Sequence, residues 1–284
     1  MLRGATSERG FSFGLAADAQ YADVESKGTR FYRASVAKLG AAVEEFQRED
    51  LAFCAHLGDL IDRQWGSFAE ISRPLAPSRH RWYQLLGNHD FEVLDDEKPR
   101  VTARLGLPAR YYHFDHADTR FVVLDTNDVS TYASVADSAQ HRIATRALDD
   151  ARQAKLPQAQ PWNGAVGPAQ LEWLERSCRE ASSVGRRVVI LAHHPVLPLG
   201  PHVAWNAAAV LTVIDRCPNV VAWINGHNHA GAFAERNGVP YVTMHGMVET
   251  ADTTAFATAH LLKDRLILRG RGREPSRELQ LRLT

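Results

Sequence analysis

Seven residues that can bind a metal ion follow short apolar segments of this chain, in turns where the polypeptide would leave a sheet. They are Asp18, Gln20, Asp59, Asn88, His193, His227 and His229. A carboxylate has two oxygens that can each hold a cation. Asp59, in the turn Gly58-Asp59-Leu60-Ile61-Asp62, is therefore predicted to bridge two ions. Because Gly-Asp after a strand is most often only a turn, this prediction depends on the other six residues.

Alternating strands and helices are predicted to bring these turns together. Five apolar segments are typical of buried strands, each followed by one of the polar turns: 11–17, 51–57, 81–86, 187–192 and 220–224. Helical segments are predicted between them, at 29–48, 139–153, 168–182 and 205–217. Open α/β sheets bind ligands at the carboxyl ends of their strands. We therefore expect the seven side chains to converge at one edge.

The remaining segments are predicted to complete the fold around this edge. Segments 111–114 and 120–125 are two strands joined by a polar turn. The long excursion 126–166 is predicted to be a lid or cap beside the site, with a partly disordered segment as the alternative. Asn237-Gly238 is typical of a two-residue hairpin. Segment 233–283 is expected to form a largely antiparallel second sheet that packs on the first.

Composition indicates an α/β domain that acts on a small molecule. The chain has 284 residues, which favours a single domain, 1–284, and its 33 basic residues equal its 33 acidic ones. This balance indicates no overall attraction for nucleic acid or an anionic membrane. No apolar run approaches the ~20 residues of a membrane span, and segment 1–10 has no apolar signal-peptide core, so a cytoplasmic location is expected. The three widely spaced cysteines are expected to be reduced thiols.

The order of these turns resembles the calcineurin-like metallophosphoesterases. The motifs of that family are Asp-x-His, Gly-Asp-x-x-Asp, Gly-Asn-His-Asp/Glu, a later His and Gly-His-x-His. They correspond here to Asp18-x-Gln20, Gly58 to Asp62, Gly87 to Asp90, His193 and Gly226 to His229. The resemblance implies a four-layer αββα sandwich of two mixed sheets flanked by helices.

The resemblance also implies roles for individual residues. One divalent ion would be held by Asp18, Gln20, Asp59 and His229, and a second by Asp59, Asn88, His193 and His227. His89 would stabilise the transition-state oxygens or protonate the leaving group. Asp62 would orient His89 through a charge-assisted hydrogen bond. His194, next to His193, is expected to be a packing or supporting residue.

Gln20 departs from the family pattern, because it replaces an imidazole nitrogen with an amide oxygen. Oxygen-rich sites suit hard ions, so Mn²⁺ is the favoured cofactor, with Mg²⁺ or Fe as alternatives. Asp-x-Gln also makes the chain similar to the Mn-dependent ADP-ribose/CDP-alcohol diphosphatases. Further segments resemble that branch: 18–23, 28–30, 163–164, 204–206, 246–251 and 270–273. The loop 22–30 is shorter than in animal members, which leaves base and head-group preference open.

The implied reaction is hydrolysis of a phosphoanhydride by a hydroxide shared between two divalent ions. ADP-ribose would give AMP and ribose 5-phosphate, and CDP-alcohols would give CMP and a phospho-alcohol. Five residues are weaker candidates for substrate contact, through ring stacking or phosphate binding: Tyr21, Trp205, His245, Phe256 and Arg271. Aromatic residues are more often core, and Arg271 is more often part of a solvated strand face, whereas His245 could equally be a strand-end residue that satisfies a hydrogen bond.

Two alternative functions stay open from the sequence. A phosphodiesterase of cyclic nucleotides or glycerophosphodiesters would use the same two-metal core. A scaffold that has lost catalysis would share the fold, but it would be expected to lose metal ligands or His89, and all of these are retained.

Overall fold

The strands of this protein form two six-stranded sheets. A computed structural model describes residues 10–283, so nearly all of the polar segment 1–10 lies outside the described residues. The first sheet contains β1 (Phe11–Ala16), β2 (Cys54–His56), β3 (Trp82–Gln84), β10 (Ala255–Leu261), β11 (Arg265–Gly272) and β12 (Arg277–Gln280). The second contains β4 (Tyr112–His116), β5 (Thr119–Val123), β6 (Arg187–Ala192), β7 (Val220–Asn225), β8 (Ala230–Arg236) and β9 (Val239–His245).

Both sheets are mixed, with a parallel part that carries the predicted turns. The first sheet has the order β12-β11-β10-β1-β2-β3, in which β1, β2 and β3 run parallel. The second has the order β4-β5-β6-β7-β9-β8, in which β5, β6, β7 and β9 run parallel. The predicted strands at 11–17, 51–57, 81–86, 187–192 and 220–224 are therefore confirmed as the parallel strands that precede the ligand turns.

Helices cover the outer face of each sheet. Their bounds are α1 Ser35–Phe46, α2 Ser67–Ser72, α3 Val101–Arg104, α4 Ala139–Gln153, α5 Pro168–Ser183 and α6 Ala207–Asp215. Leu39 and Phe46 of α1 pack on the first sheet, and Leu174 of α5 packs on the second. The predicted helix 139–153 has the observed bounds of α4, whereas α2 and α3 were not predicted. None of the helices within residues 10–283 is long and apolar enough to cross a membrane.

The main core lies between the two sheets. Alternate residues of β1 point into it, so Phe13 and Leu15 are fully buried there while Ala16 faces α1. The Phe13 ring meets the edge of Phe121 from the other sheet, with centroids 5.3 Å apart. This packing makes the four-layer αββα sandwich of the sequence prediction, and it fixes the strand ends of both sheets relative to one another.

The prediction for the last part of the chain was wrong in one respect. Segment 233–283 does not form a sheet of its own, because β8 and β9 complete the second sheet and the last three strands extend the first. The Asn237-Gly238 hairpin is confirmed between β8 and β9. After β9 the chain crosses back to the first sheet, where β10 pairs antiparallel with β1. This crossover, 246–254, passes beside the ligand turns.

Candidate metal centre

The turns after β1, β2, β3, β6 and β7 bring all seven predicted ligands together. The side chains of Asp18 and His193 are fully buried, and Asp59 is 1% exposed. Several of these residues have left-handed backbone conformations, with φ of 53° at Asp18, 42° at Gln20, 56° at Asp59 and 71° at His227. Such conformations are uncommon for non-glycine residues and cluster at functional sites.

Asp59 occupies the centre of the cluster. Its Oδ2 accepts a hydrogen bond from Gln20 Nε2 at 2.9 Å and lies 3.3 Å from His193 Nε2. Its Oδ1 accepts a hydrogen bond from the His89 main-chain N–H at 2.7 Å. Gly87 permits this approach, because a β-carbon there would lie 2.1 Å from Asp59 Oδ1. Asp59 Oδ2 therefore faces both Gln20 and His193, while Oδ1 is held by the main chain.

The first group of ligands surrounds Gln20. Gln20 Nε2 lies 3.0 Å from His229 Nε2, and His229 Nε2 lies 3.6 Å from Asp18 Oδ1. The other ring nitrogen of His229, Nδ1, lies 2.7 Å from Glu249 Oε1. Because an ionised carboxylate can only accept, Nδ1 carries the proton and Nε2 faces the group. Gln20 Oε1 is buried without a hydrogen-bond partner. A cation between Asp59 and His229 would be bound by Oε1 once the amide is turned over, which exchanges the positions of Oε1 and Nε2.

The second group also fits a cation, because atoms of Asn88, His193 and His227 that can accept hydrogen bonds face one another. Asn88 Oδ1 lies 3.1 Å from His193 Nε2 and 3.0 Å from His227 Nδ1, and the two ring nitrogens are 3.3 Å apart. His193 Nδ1 donates to the Leu57 carbonyl at 2.8 Å, and His227 Nε2 donates to Asn163 Oδ1 at 2.9 Å. In the neutral rings that metal binding requires, both inward nitrogens are acceptors, and so is Asn88 Oδ1. Ligand atoms of Asp59, His193 and His227 lie within 4.8 Å of one another, which suits a shared cation.

The electrostatics of the cluster favour positive charge. Burial disfavours protonation of His193, but the Asp59 carboxylate outweighs burial and raises the pKa of His193 to about 9. Burial also disfavours protonation of His229, but the carboxylates of Asp18 and Glu249 outweigh it and raise the pKa of His229 to about 9. The hydrogen bond from His229 lowers the pKa of Glu249 to about 2. A divalent cation satisfies the same preference for positive charge.

His89 projects from the turn after β3 toward the same space, and its side chain is 23% exposed. Its Nδ1 donates to the main-chain carbonyl of Asp62 at 3.1 Å, and the Asp62 carboxylate lies 3.6 Å away. That carboxylate instead accepts from Arg63 Nε at 2.6 Å. The predicted charge-assisted hydrogen bond is therefore corrected: Asp62 holds His89 mainly through its backbone.

Asp90 was missed as a supporting residue. Its buried carboxylate accepts main-chain N–H groups of Asp59 at 3.1 Å, Leu60 at 2.9 Å and Gly87 at 2.9 Å. These bonds tie the turn after β2 to the turn after β3. Burial, followed by the charge of Asp59, raises the pKa of Asp90 to about 7. In the sequence, the signal for this supporting role was the position of Asp90 directly after Asn88 and His89 in the same turn.

A cavity of about 380 Å³ opens above the predicted ligands. Its lining includes three residues that the sequence did not single out as site residues, Arg30, Trp162 and His202, together with His89 and five of the ligands. The His202 ring centroid lies 5.6 Å from His227 and 6.5 Å from the Trp162 ring. Trp162 belongs to the excursion 126–166, so part of that segment forms a wall of the cavity.

The structure places the weaker substrate candidates elsewhere. Trp205 is 5% exposed, and its indole donates to the Gln160 carbonyl. Phe256 packs edge-on against Phe46, with centroids 5.2 Å apart. Both are therefore core residues, because their rings are covered by protein. Tyr21 lines a separate groove with Arg33 and Glu70.

His245 and Arg271 also lie away from the cavity lining. The His245 ring contacts Glu274 at 3.1 Å, which is the hydrogen-bonding alternative considered for a strand-end histidine. Arg271 turns outward to within 3.8 Å of Glu45. His194 is buried against Thr126 Oγ1 at 2.7 Å and the Trp162 carbonyl at 3.2 Å. It is the supporting residue that was expected beside His193.

Comparison with known proteins agrees with this geometry. The family described as calcineurin-like phosphoesterase matches residues 17–231. The manganese-dependent ADP-ribose/CDP-alcohol diphosphatase of Danio rerio is 32% identical over 93% of this chain and 96% of its own length. The human protein of that name is 30% identical over 96% of this chain and 93% of its own. The crystal structure of a dimetal phosphatase from Danio rerio superposes with a TM-score of 0.86 at 30% identity, over 96% of this chain and 99% of that one.

Proposed function

This chain belongs to the calcineurin-like phosphoesterase family, and we propose that it is a manganese-dependent diphosphatase. Its substrates would be nucleoside diphosphate-linked compounds such as ADP-ribose and CDP-alcohols, the classes named for its full-length relatives. The observation that carries the proposal is the set of buried acceptor atoms that converge on Asp59. Their fit to two cations separates a hydrolase from a scaffold of the same fold.

The ligands of the two cations are proposed from the two groups of acceptors. Asp18, Gln20, Asp59 and His229 would hold one, and Asp59, Asn88, His193 and His227 the other. Bound divalent cations supply charge neutralisation of phosphate oxygens and activation of water. The amide oxygen of Gln20 makes the first group richer in oxygen, which supports manganese.

The protein's own groups orient the substrate and handle the proton. His89 faces the cavity with Nδ1 engaged by the Asp62 carbonyl, so Nε2 is directed to the substrate side. His89 can then stabilise the oxygens of the reacting phosphate or give a proton to the leaving group.

The outer part of the cavity supports recognition of a nucleotide diphosphate. Arg30 lines it with a side chain that is 37% exposed and only 3.9 Å from one oxygen of Glu249. Its guanidinium can pair with the phosphate that is not attacked. Trp162, 42% exposed, offers an indole face on which a base can stack.

A Mn²⁺ assay of ADP-ribose, CDP-choline, cyclic AMP and bis-p-nitrophenyl phosphate tests this function. We expect ADP-ribose or CDP-choline to be cleaved with the highest kcat/KM and to yield AMP or CMP. No free phosphate should form at first, because the bond between the two phosphates is the one that breaks. Fastest turnover of cyclic AMP, or phosphate released from ADP-ribose as fast as AMP, would instead support a phosphodiesterase or monoesterase.

The matched control for this assay is Asn88→Ala, which removes one oxygen from the second group. It should abolish most turnover while the thermal unfolding midpoint of the protein stays close to the wild-type value. Undiminished turnover in a folded Asn88→Ala variant would show that the acceptor cluster is not the catalytic site.

A further inference from the structure

The crossover from β9 to β10 touches the main chain of two proposed metal ligands. The Met247 N–H donates to the Ala17 carbonyl at 3.0 Å, and the Val248 N–H donates to the Asp18 carbonyl at 2.9 Å. At its beginning, the Gly246 N–H donates to the His229 carbonyl at 3.2 Å. A shift of this segment would therefore move the main chain of Asp18 and His229, two members of the first ligand group.

A single buried lysine holds the other side of the same segment. Lys38, on α1, is 5% exposed, although lysine is rarely buried. Its Nζ lies near four consecutive carbonyl oxygens, at 3.0 Å from Met247, 3.4 Å from Val248, 2.9 Å from Glu249 and 2.5 Å from Thr250. The segment thus curls around the ammonium, and Thr250 has a φ of 64°. Burial lowers the pKa of Lys38 to about 8, so the group is charged at pH 7.

Four carbonyl dipoles that point at one spot require a cation there. Without the ammonium, the Val248 carbonyl would keep a donor in the Phe31 N–H at 2.9 Å, but the carbonyls of Met247, Glu249 and Thr250 would lose the donor that they share. Losing this donor where the carbonyls lie close together is unfavourable enough to make the segment rearrange. The segment carries Glu249, whose Oε1 is 2.7 Å from His229 Nδ1. Lys38 therefore reaches the His229 ring through only the backbone and side chain of Glu249.

We propose that Lys38 is a positioning residue that fixes segment 247–250 and, through Glu249, sets the His229 ring for metal binding. This role rests on the proposed function, because it presupposes that His229 is a ligand of the first cation. Lys38 contacts neither the cavity nor the proposed ligands themselves. Its influence should consequently fall on one of the two metal sites and leave the other unchanged.

The test is a Mn²⁺ titration of the purified full chain, followed by the electron paramagnetic resonance signal of free Mn²⁺. Wild type should bind two ions. Lys38→Met keeps the length of the side chain but removes the charge and the donors. It should weaken one Mn²⁺ site by about 10-fold, as expected when a group that supports a metal ligand is lost, and leave the second site unchanged.

Lys98→Met is the matched control. Lys98 is also largely covered, with a side chain 13% exposed, and its Nζ binds Asp95 at 2.7 Å and the Ser134 carbonyl at 3.3 Å. It lies outside the crossover and the cavity lining. Lys98→Met should bind two Mn²⁺ ions as wild type does, so an equal weakening in both variants would contradict the proposal.

A double variant separates positioning from general loosening of the fold. Glu249→Gln alone should weaken the same Mn²⁺ site, because it removes the charge that orients His229. If Lys38 acts through Glu249, Lys38→Met added to Glu249→Gln should weaken that site by less than about 2-fold more. If the losses of Mn²⁺ affinity from the two substitutions multiply in the double variant, Lys38 acts by a route that does not include Glu249.

The remaining outcomes are also decisive. If Lys38→Met does not fold, Lys38→Gln, which keeps an amide donor, should show a smaller weakening of the same site. Wild-type Mn²⁺ binding by whichever of these variants is folded would overturn the role of Lys38 alone. Failure of the wild-type protein to bind two Mn²⁺ ions would instead overturn the metal assignment on which the role rests.

Discussion

The two sheets contribute different chemistry to the proposed metal centre. The turns after β1, β2 and β3 of the first sheet supply oxygen ligands, from Asp18, Gln20, Asp59 and Asn88. The turns after β6 and β7 of the second sheet supply only imidazoles, from His193, His227 and His229. A cation at either group would therefore be held from both sheets, and Asp59 is the residue that both groups share.

The two kinds of ligand are also held in different ways. Three of the four oxygen residues, Asp18, Gln20 and Asp59, have left-handed φ values, which among the imidazoles only His227 shares. The Asp18 carboxylate also accepts the His227 N–H, at 3.1 Å to each oxygen. These constraints come from the turns themselves and from their immediate neighbours.

The imidazoles depend on acceptors from distant parts of the chain. Their outer nitrogens bind the Leu57 carbonyl, Asn163 and Glu249. These three supports belong to the end of the first sheet, to the excursion and to the crossover. The imidazoles thus depend on supports outside the ligand turns, whereas the oxygens are held mainly by contacts within and between those turns.

The largest expected effect tests whether Asp59 serves both groups. Asp59→Asn keeps an acceptor for the His89 N–H but removes the shared charge. It should lose both Mn²⁺ ions and lower kcat/KM by about 10³-fold or more, because each cation contributes several kcal/mol of charge stabilisation. Metal analysis after desalting measures the loss, with the exposed Asp95→Asn as control. One Mn²⁺ retained at wild-type affinity would mean that Asp59 does not bridge.

A smaller loss of Mn²⁺ affinity is expected when the acceptor that holds the His227 ring, Asn163, is replaced. Asn163→Ala removes the acceptor that fixes the tautomer of His227, so Mn²⁺ affinity at one site should fall by about 10- to 100-fold. Asn163→Asp keeps an acceptor and adds negative charge, so it should bind Mn²⁺ at least as tightly as wild type. Calorimetric titration distinguishes the two. Equal loss in both variants would show that Asn163 acts through the excursion and not through His227.

This difference between the ligands also explains what could be predicted from the sequence. Each proposed metal ligand follows an apolar strand, so strand periodicity and residue type were enough to predict that all seven side chains converge, whereas the four-layer fold was implied by the resemblance to the family. Asp90, Asn163 and Glu249 could not be assigned in the same way. Their roles arise from contacts with residues in other turns, which no local pattern records.

The wrong expectations have related physical causes. Trp205 and Phe256 have the residue type for base stacking, but burial decides their role, and burial depends on the complete packing. The last strands were assigned to one sheet because hairpin signals predict neighbouring strands and not the sheet that they join. Arg30, Trp162 and His202 reach the cavity from irregular segments. Hydrophobic periodicity does not predict the direction of side chains in such segments.

Replacing one oxygen ligand by an imidazole tests the chemical difference directly. Gln20→His puts a nitrogen into the oxygen-rich group, so two metals should remain bound while the ratio of Mn²⁺ to Zn²⁺ affinity falls by about 10-fold. Competition titrations with the two ions measure this ratio. An unchanged ratio with both sites occupied would show that Gln20 contributes no ligand atom. Full activity of dialysed wild-type enzyme with Zn²⁺ alone, and none with Mn²⁺, would contradict the preference for manganese.

The smallest effect concerns the part of the cavity beyond the ligands. Trp162 stands beside His202, and its indole is 42% exposed, so a base stacked on it would remain partly in water. Trp162→Ala should therefore raise the KM for ADP-ribose or CDP-choline by only about 5-fold, at the low end of what base stacking contributes. Turnover of bis-p-nitrophenyl phosphate, which has no base, should not change. Trp162→Phe keeps an aromatic face and should restore most of the affinity. If both substitutions raise KM for every substrate alike, Trp162 shapes the wall of the cavity, and base recognition belongs to the side that carries Arg30.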